Sequence, residues 1–446
     1  MLRLRLGLAL SLGGLLMSAT SWCGAQPLSF AQALELARQN DPRVQMVRQD
    51  LEVRRAQLEG AYGQLLPSVS MSYSRFDGNR TTLGAGTSSQ PIGFVSENTS
   101  WTVRQPIYRK SLSAGYEKAQ ALLSAGEFDL QREEMDLSLR TLQAYLEVLT
   151  VQQLIQANAA QVDTLTAQLD YVRRALAKGF TRTTDLLEAE SRLRAAQADR
   201  RGLQDRLALG WTQLARLTRV EQPSLWRISP QRVQGLLLPA ASLSEWWGRA
   251  QQGSLQLRSL LAQQEAAKFD MSMATSGHLP TVDLLYQDLS SANELPNSPN
   301  LQYRTKQIGV QLVVPIYSGG TVNASERSAQ AALTKIQWQI SLLGDQLQVD
   351  VQSSYNDLLD AQRRMEQLAF DLKAKKENVI AIEMAYKAGL DTQLSLLQAR
   401  ERLQQTHYGH LEQAGKYLQA WLKLHSICGL IDEKFISDFS QWFDRE

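Results

Sequence analysis

The sequence of 446 residues predicts a mostly α-helical protein that also carries membrane-type β-strands, laid out as two internal repeats. Three observations carry this. All twelve prolines lie outside the stretches 107–222 and 316–446, both rich in Leu, Ala, Gln, Arg and Glu, so long helices can run there uninterrupted. Four short segments alternate apolar and polar residues with a period of two, as strands with unlike faces do. The stretch KGFTRTTDLLEAE at 178–190 returns as AGLDTQLSLLQAR at 388–400, an offset of 210 residues.

Taken in chain order, Arg3 and Arg5 precede an apolar run from Leu6 to Met17 and small residues up to Ala25, the layout of a secretory signal peptide over residues 1–25. The other reading of Cys23 is lipidation, but Trp22 stands where a small residue should precede it, which favours ordinary cleavage. Without the signal, Lys+Arg falls from 47 to 45 and equals the 45 Asp+Glu, a balance that offers nucleic acid no basic surface. Cys428 is then the sole cysteine, so packing rather than a disulfide has to hold the exported chain together.

The first repeat, 26–240, opens on a helix around Leu34–Pro42. In its strands Val69, Met71 and Tyr73 alternate with Ser68, Ser70, Ser72 and Ser74, and Trp101 and Val103 alternate with Ser100, Thr102 and Arg104. Between them the Gly-, Ser- and Asn-rich run from Asp77 to Ser96 reads as a solvated loop. Pro106 sits where strand gives way to helix, since neither interior tolerates it. A helix of close to seventy residues, about 100 Å at 1.5 Å per residue, then runs from about Ser111 to Lys178. Met135, Leu139, Leu142, Leu146 and Leu149 follow the spacing of coiled coils, as do Val162, Leu165, Leu169, Val172 and Leu176.

The second repeat, 241–428, mirrors the first: LLPSVSMSY at 65–73 matches HLPTVDLLY at 278–286, VRQPIY at 103–108 matches LVVPIY at 312–317, and offsets stay between 209 and 213. Val282, Leu284 and Tyr286, then Ile308, Val310, Leu312 and Val314, form the apolar faces of its strands. Ser290–Asn300 is its loop, Pro315 its strand–helix junction, and apolar positions from Leu333 to Tyr386 mark its long helix. Residues 429–446 form a tail. Strands of about ten residues suit tilted spans of a bilayer around a polar interior. A half-exposed soluble sheet would alternate equally well; the polar connections favour the membrane. Four strands cannot close a barrel, and lipid offers an open edge no partner, so several copies must contribute.

LPSVSMSY, QPIY and VPIYSGG at the strand ends, the two turns with glycine six residues before Asp185 or Ser395, and the duplicated layout resemble the TolC family of outer-membrane channel-tunnels. The resemblance covers nearly all of the chain after the signal. It implies a homotrimer: a twelve-stranded β-barrel in outer-membrane lipid, continued by a long periplasmic α-helical barrel. A mixed girdle would be built from Glu221 to Ser244 and the tail after Gly429. It further implies an export duct for type I protein secretion or multidrug efflux, fed by a periplasmic adaptor and an inner-membrane ABC or RND pump. On this resemblance the hairpin turns form the periplasmic tip and meet the adaptor through Gly179, Phe180, Thr181, Arg182, Asp185, Leu186 and Leu187, and through Gly389, Leu390, Asp391, Ser395, Leu396 and Leu397.

The residues of the turns also have a purely local reading. Gly179 and Gly389 can end their helices in left-handed conformation, and Asp185 with Glu188, like Ser395 with Gln398, has the spacing of a capping box. In the family a tyrosine, an arginine and aspartates at the tip hold the tunnel closed. Tyr386 and Asp185 match that set, but Asp391 replaces the arginine, and Ser395 and Gln398 replace aspartates, so closure by that network is doubtful. Arg182, Arg173 or Arg174 are the candidate cations for Asp391. No enzyme is expected and no cofactor: His407 and His410 share a helix face, yet no carboxylate or cysteine completes a metal site around them. The alternative is a periplasmic coiled-coil adaptor or scaffold, which two hairpins, each following a strand pair, oppose.

Overall fold

A computed structural model of the chain describes residues 28–81, 91–225, 227–228, 242–295, 298–440 and 443–444. The expected signal peptide with Cys23, the centre of the first loop and residues 229–241 lie outside them. The first repeat contributes α1 (Phe30–Asn40), α2 (Pro42–Gly63), β1 (Ser68–Arg80), β2 (Ile92–Tyr108), α3 (Lys110–Ala177) and α4 (Thr183–Thr218). A short β3 (Arg227–Ile228) leads to the second, with α5 (Leu243–Gly253), α6 (Leu255–Thr275), β4 (Thr281–Leu295), β5 (Ser298–Val313), α7 (Thr321–Lys387) and α8 (Gln393–Ile427). The tail adds α9 (Glu433–Ser440) and β6 (Phe443–Asp444). Helices α3 and α7 run 68 and 67 residues, each about 100 Å long.

Each repeat opens on two helices rather than one. Asp41 accepts from the backbone N–H groups of Arg43 and Val44 at 2.8 and 3.2 Å, with Pro42 at the first helical position, so one helix ends and another starts there. Ser254 does the same for Leu257 at 3.3 Å. The strands also extend beyond the expected bounds, since residues 77–80 and 92–96 are paired, as are 290–293 and, past a register shift, Leu295 with Ser298. Their Ser, Asn and Gly content reports solvation, not an end of pairing; Gly78 faces Phe94, and a Cβ there would come within 3.3 Å of that ring. Pro106 lies inside β2, opposite Asp283 at a register shift, where a missing N–H disrupts little. Pro315 follows β5 and precedes α7, as expected.

Three rows of four elements succeed one another along the molecule. The strands form an antiparallel sheet in the order β1-β2-β4-β5. Beneath it the helices neighbour one another as α2-α3-α6-α7, and beyond those as α4-α3-α8-α7. The two repeats therefore meet at the centre of every row, and each row ends with an element of the first repeat on one side and of the second on the other. Around the middle of the long helices α1, α5 and α9 enclose the main core, where Phe30, Tyr145, Trp246, Tyr417 and Phe439 are almost fully buried. Leu28 bridges Leu225, and β3 pairs with β6, so the segment after α4 and the tail come together here.

Candidate functional site

The register of the sheet sorts its side chains onto two faces. Rows such as Val69, Val103, Tyr286 and Ile308 are directly paired across all four strands, so the apolar residues share one face. Val69, Ile308, Val310 and Leu312 are each more than 60% exposed, a broad apolar surface with no cover from the other described residues. The opposite face is lined by hydroxyls and amides that bond to one another: Gln287 donates to Ser100 at 3.2 Å, Ser291 to Asn98 at 2.7 Å, and Gln307 to Gln287 at 2.7 Å. Where this polar face meets the helices, Arg109 grips the buried Asp283 with both branches of its guanidinium, one bond at 2.8 Å, and Arg104 lies 3.9 Å away.

At the other end of the molecule the two hairpins turn in the same way. Gly179 (φ 77°) and Gly389 (φ 74°) are left-handed, with nothing within 4 Å of where a Cβ would stand. The N–H of Phe180 donates to Ala175 at 2.9 Å and that of Leu390 to Ala385 at 2.8 Å, closing the long helices as Schellman motifs. Such motifs usually tuck in the residue after the glycine; here Phe180 and Leu390 stay 81% and 84% exposed.

The returning helices start three residues before the expected caps. Arg182 and Thr392 occupy the cap positions, and Asp185 and Ser395 lie one turn inside. Asp185 accepts from the Thr181 hydroxyl at 2.5 Å and the Arg182 N–H at 3.0 Å, bonds that hold its carboxyl below the usual carboxylate range. In the second hairpin the Thr392 hydroxyl accepts from the Ser395 N–H at 3.1 Å, while Asp391 accepts from the Thr392 N–H and the Ser395 hydroxyl. Both acidic residues are thus engaged within their own turns. Among the described residues no bond joins Asp185, Tyr386 and Asp391, and Arg173 pairs with Glu190. Leu396 and Leu397 are buried and support the turn, whereas Leu187 is 60% exposed and Leu186 partly covered.

A pair the sequence reading missed links the hairpins. Arg192 on α4 bonds Glu188 at 2.5 Å and reaches Glu401 on α8 at 3.5 Å. It borders a cleft of about 290 Å³ between the hairpins that Val172, Asp185, Leu394 and Gln398 also line. Arg192 and Glu401 lie 209 positions apart in the sequence, so no local motif could have signalled their pairing.

A sheet with one apolar and one hydroxyl-lined face, joined to helices about 100 Å long that turn back as hairpins, has the form of an outer-membrane channel continued by a helical tunnel. The chain belongs to the outer membrane efflux protein family, whose sequence model matches residues 33–218 and 246–430. It is 25% identical over 429 residues to the proteases secretion protein PrtF of Dickeya chrysanthemi, covering 94% of this chain and 92% of that one. It is 27% identical over 419 residues to the alkaline protease secretion protein AprF of Pseudomonas aeruginosa, covering 91% and 85%. The fold matches the solved outer-membrane channel OprN with a TM-score of 0.74 at 16% identity, over 90% of this chain and 89% of that one. The protein is an outer-membrane channel of efflux or type I secretion, with its helical tunnel in the periplasm.

Proposed function

We propose that three copies of the chain close into one passive duct that carries cargo from an inner-membrane ABC or RND pump, through a periplasmic adaptor, to the exterior. The observation that carries this is the identity of the edges: among the described residues every row ends on an element of the first repeat (β1, α2 or α4) at one side and on one of the second repeat (β5 or α7) at the other. Head-to-tail contact between copies satisfies all three rows at once and leaves no strand edge open to lipid. The hydroxyl and amide face then lines the lumen. Polar side chains there let water and cargo pass without tight binding, and the chain contributes no chemical step. Protein cargo is favoured, because PrtF and AprF, which match over more than 90% of this chain, are named for protease secretion.

The repeats 26–240 and 241–428 each supply one hairpin, and the tail from 429 joins the girdle. The tip residues Gly179, Phe180, Thr181 and Arg182 with Gly389, Leu390 and Asp391 present the adaptor contact, anchored by the exposed Phe180 and Leu390. The bond between hairpins that holds the resting tip is Arg192 to Glu401, in place of a network through Tyr386, Asp185 and Asp391. The test is to purify the protein from outer membranes with Lys178→Cys, which keeps Phe180, measure its mass without boiling, and cross-link at the new thiol in cells. A trimer joined to an adaptor is expected. A monomer that captures no adaptor would overturn the duct and return the coiled-coil scaffold.

A further inference from the structure

Moving along the sheet away from the helices, the first charges on its apolar face are two ion pairs, one in each strand hairpin. Arg75 meets Glu97 at 3.1 Å, and Arg304 holds both oxygens of Asp288 at 2.8 and 2.6 Å. The register puts them on the side of the apolar residues: Met71, Trp101, Asp288 and Lys306 form one row, and Tyr73, Thr99, Ser290 and Arg304 the next. The first pair is balanced. The second has a surplus cation, since the Lys306 ammonium stands 4.0 Å from a carboxylate already taken by Arg304. The Asp288 side chain is only 13% exposed, while those of Arg304 and Lys306 are 64% and 58% exposed. To its surroundings the cluster therefore shows N–H donors and one net positive charge.

Its height along the strand says what those donors face. From Lys306 to Val314 is about 26 Å of strand, or roughly 20 Å of vertical rise for a strand tilted about 40°, close to the apolar height of a barrel wall. With the tunnel in the periplasm, the cluster marks the border of the outer leaflet, where long cationic side chains reach for headgroups. We infer that Lys306 and Arg304 bind the phosphate of a phosphorylated outer-leaflet lipid, whose acyl chains lie along Tyr286, Ile308 and Val310. A lipid is the occupant because the site is continuous with the exposed apolar face: the chains hold the molecule there, and the single surplus charge selects its headgroup.

Trp101 pairs directly with Asp288 and is the sole tryptophan of β1, β2, β4 and β5, so it reports the lipid at this place. The experiment reconstitutes the full-length channel in phosphatidylcholine vesicles and compares quenching of Trp101 by dibrominated phosphatidylcholine and by dibrominated phosphatidic acid. The expected result is quenching by both, with about a fivefold preference for phosphatidic acid that high salt weakens. Lys306→Gln should bring the preference to about one and Lys306→Arg should keep it, each with unboiled mobility unchanged. Equal quenching in the parent protein, or a preference that survives Lys306→Gln, overturns the inference and leaves the channel reading intact. No quenching even by dibrominated phosphatidylcholine would overturn the placement of this face in lipid as well.

Discussion

At the scale of single residues, His425 ties the central core to pH. It sits on α8 with its ring 4.1 Å from that of Trp421 and 5.1 Å from that of Trp246, and its Nδ1–H donates to the Trp421 carbonyl at 2.9 Å. Burial, against the smaller opposing effect of that bond, pushes it down from 6.5 to about 4. The sign follows from proton uptake: below 6.5 the unfolded chain binds a proton that the folded chain refuses until about 4. Stability is thus full above 6.5 and falls as pH drops toward 4, by about 3 kcal/mol over that window. His425→Phe keeps the ring and removes the titration. Denaturant midpoints followed by tryptophan fluorescence at pH 7 and 4.5 should fall less in the variant; an equal fall in both would show that the acid sensitivity comes from elsewhere.

At the scale of elements, the hairpins are held together by a bond that is weak in each copy. Arg192 is 44% exposed, so its reach to Glu401 is worth about 0–1 kcal/mol, and it gains weight by repetition around a ring. Arg192→Glu places a like charge beside both Glu188 and Glu401 and should raise single-channel conductance in planar bilayers. Adding Glu401→Arg should restore the low value. Unchanged conductance in Arg192→Glu would remove this pair from the gate. The first long helix was legible almost to the residue, about 111–178 expected against 110–177 found, because exclusion of proline and heptad spacing are local signals; the second starts at Thr321, twelve residues before the first apolar position that marked it. The breaks before Pro42 and Leu255 are written in the caps Asp41 and Ser254, whose side chains would equally suit the exposed face of one continuous helix. The strand tips beyond residue 77 and the Arg192–Glu401 pair were not legible. Serine and asparagine content describes solvation, and a contact across 209 positions exists only after packing.

At the scale of the molecule, the sharpest consequence concerns the edge formed by α7. Trp338 and Leu342 lie one turn apart on it, 71% and 69% exposed, beside a groove of about 560 Å³ that Ala331 and Lys335 also line. A single chain gains nothing from such residues, since both leave their area in water. Burying each against the first-repeat edge of a neighbour would contribute about 1.5–3 kcal/mol, and a closed ring makes the contact at every junction. Trp338→Asp removes that burial and adds a carboxylate that loses its water on assembly. Because Trp338 joins no core cluster among the described residues, helix content by circular dichroism should stay at the parent level. The unboiled protein, however, should run as a monomer, and Lys335→Ala, at the rim of the same groove, should still run as a trimer. Persistence of the trimer in Trp338→Asp would mean that copies do not meet along α7, and the head-to-tail closure drawn from the three rows would have to be replaced.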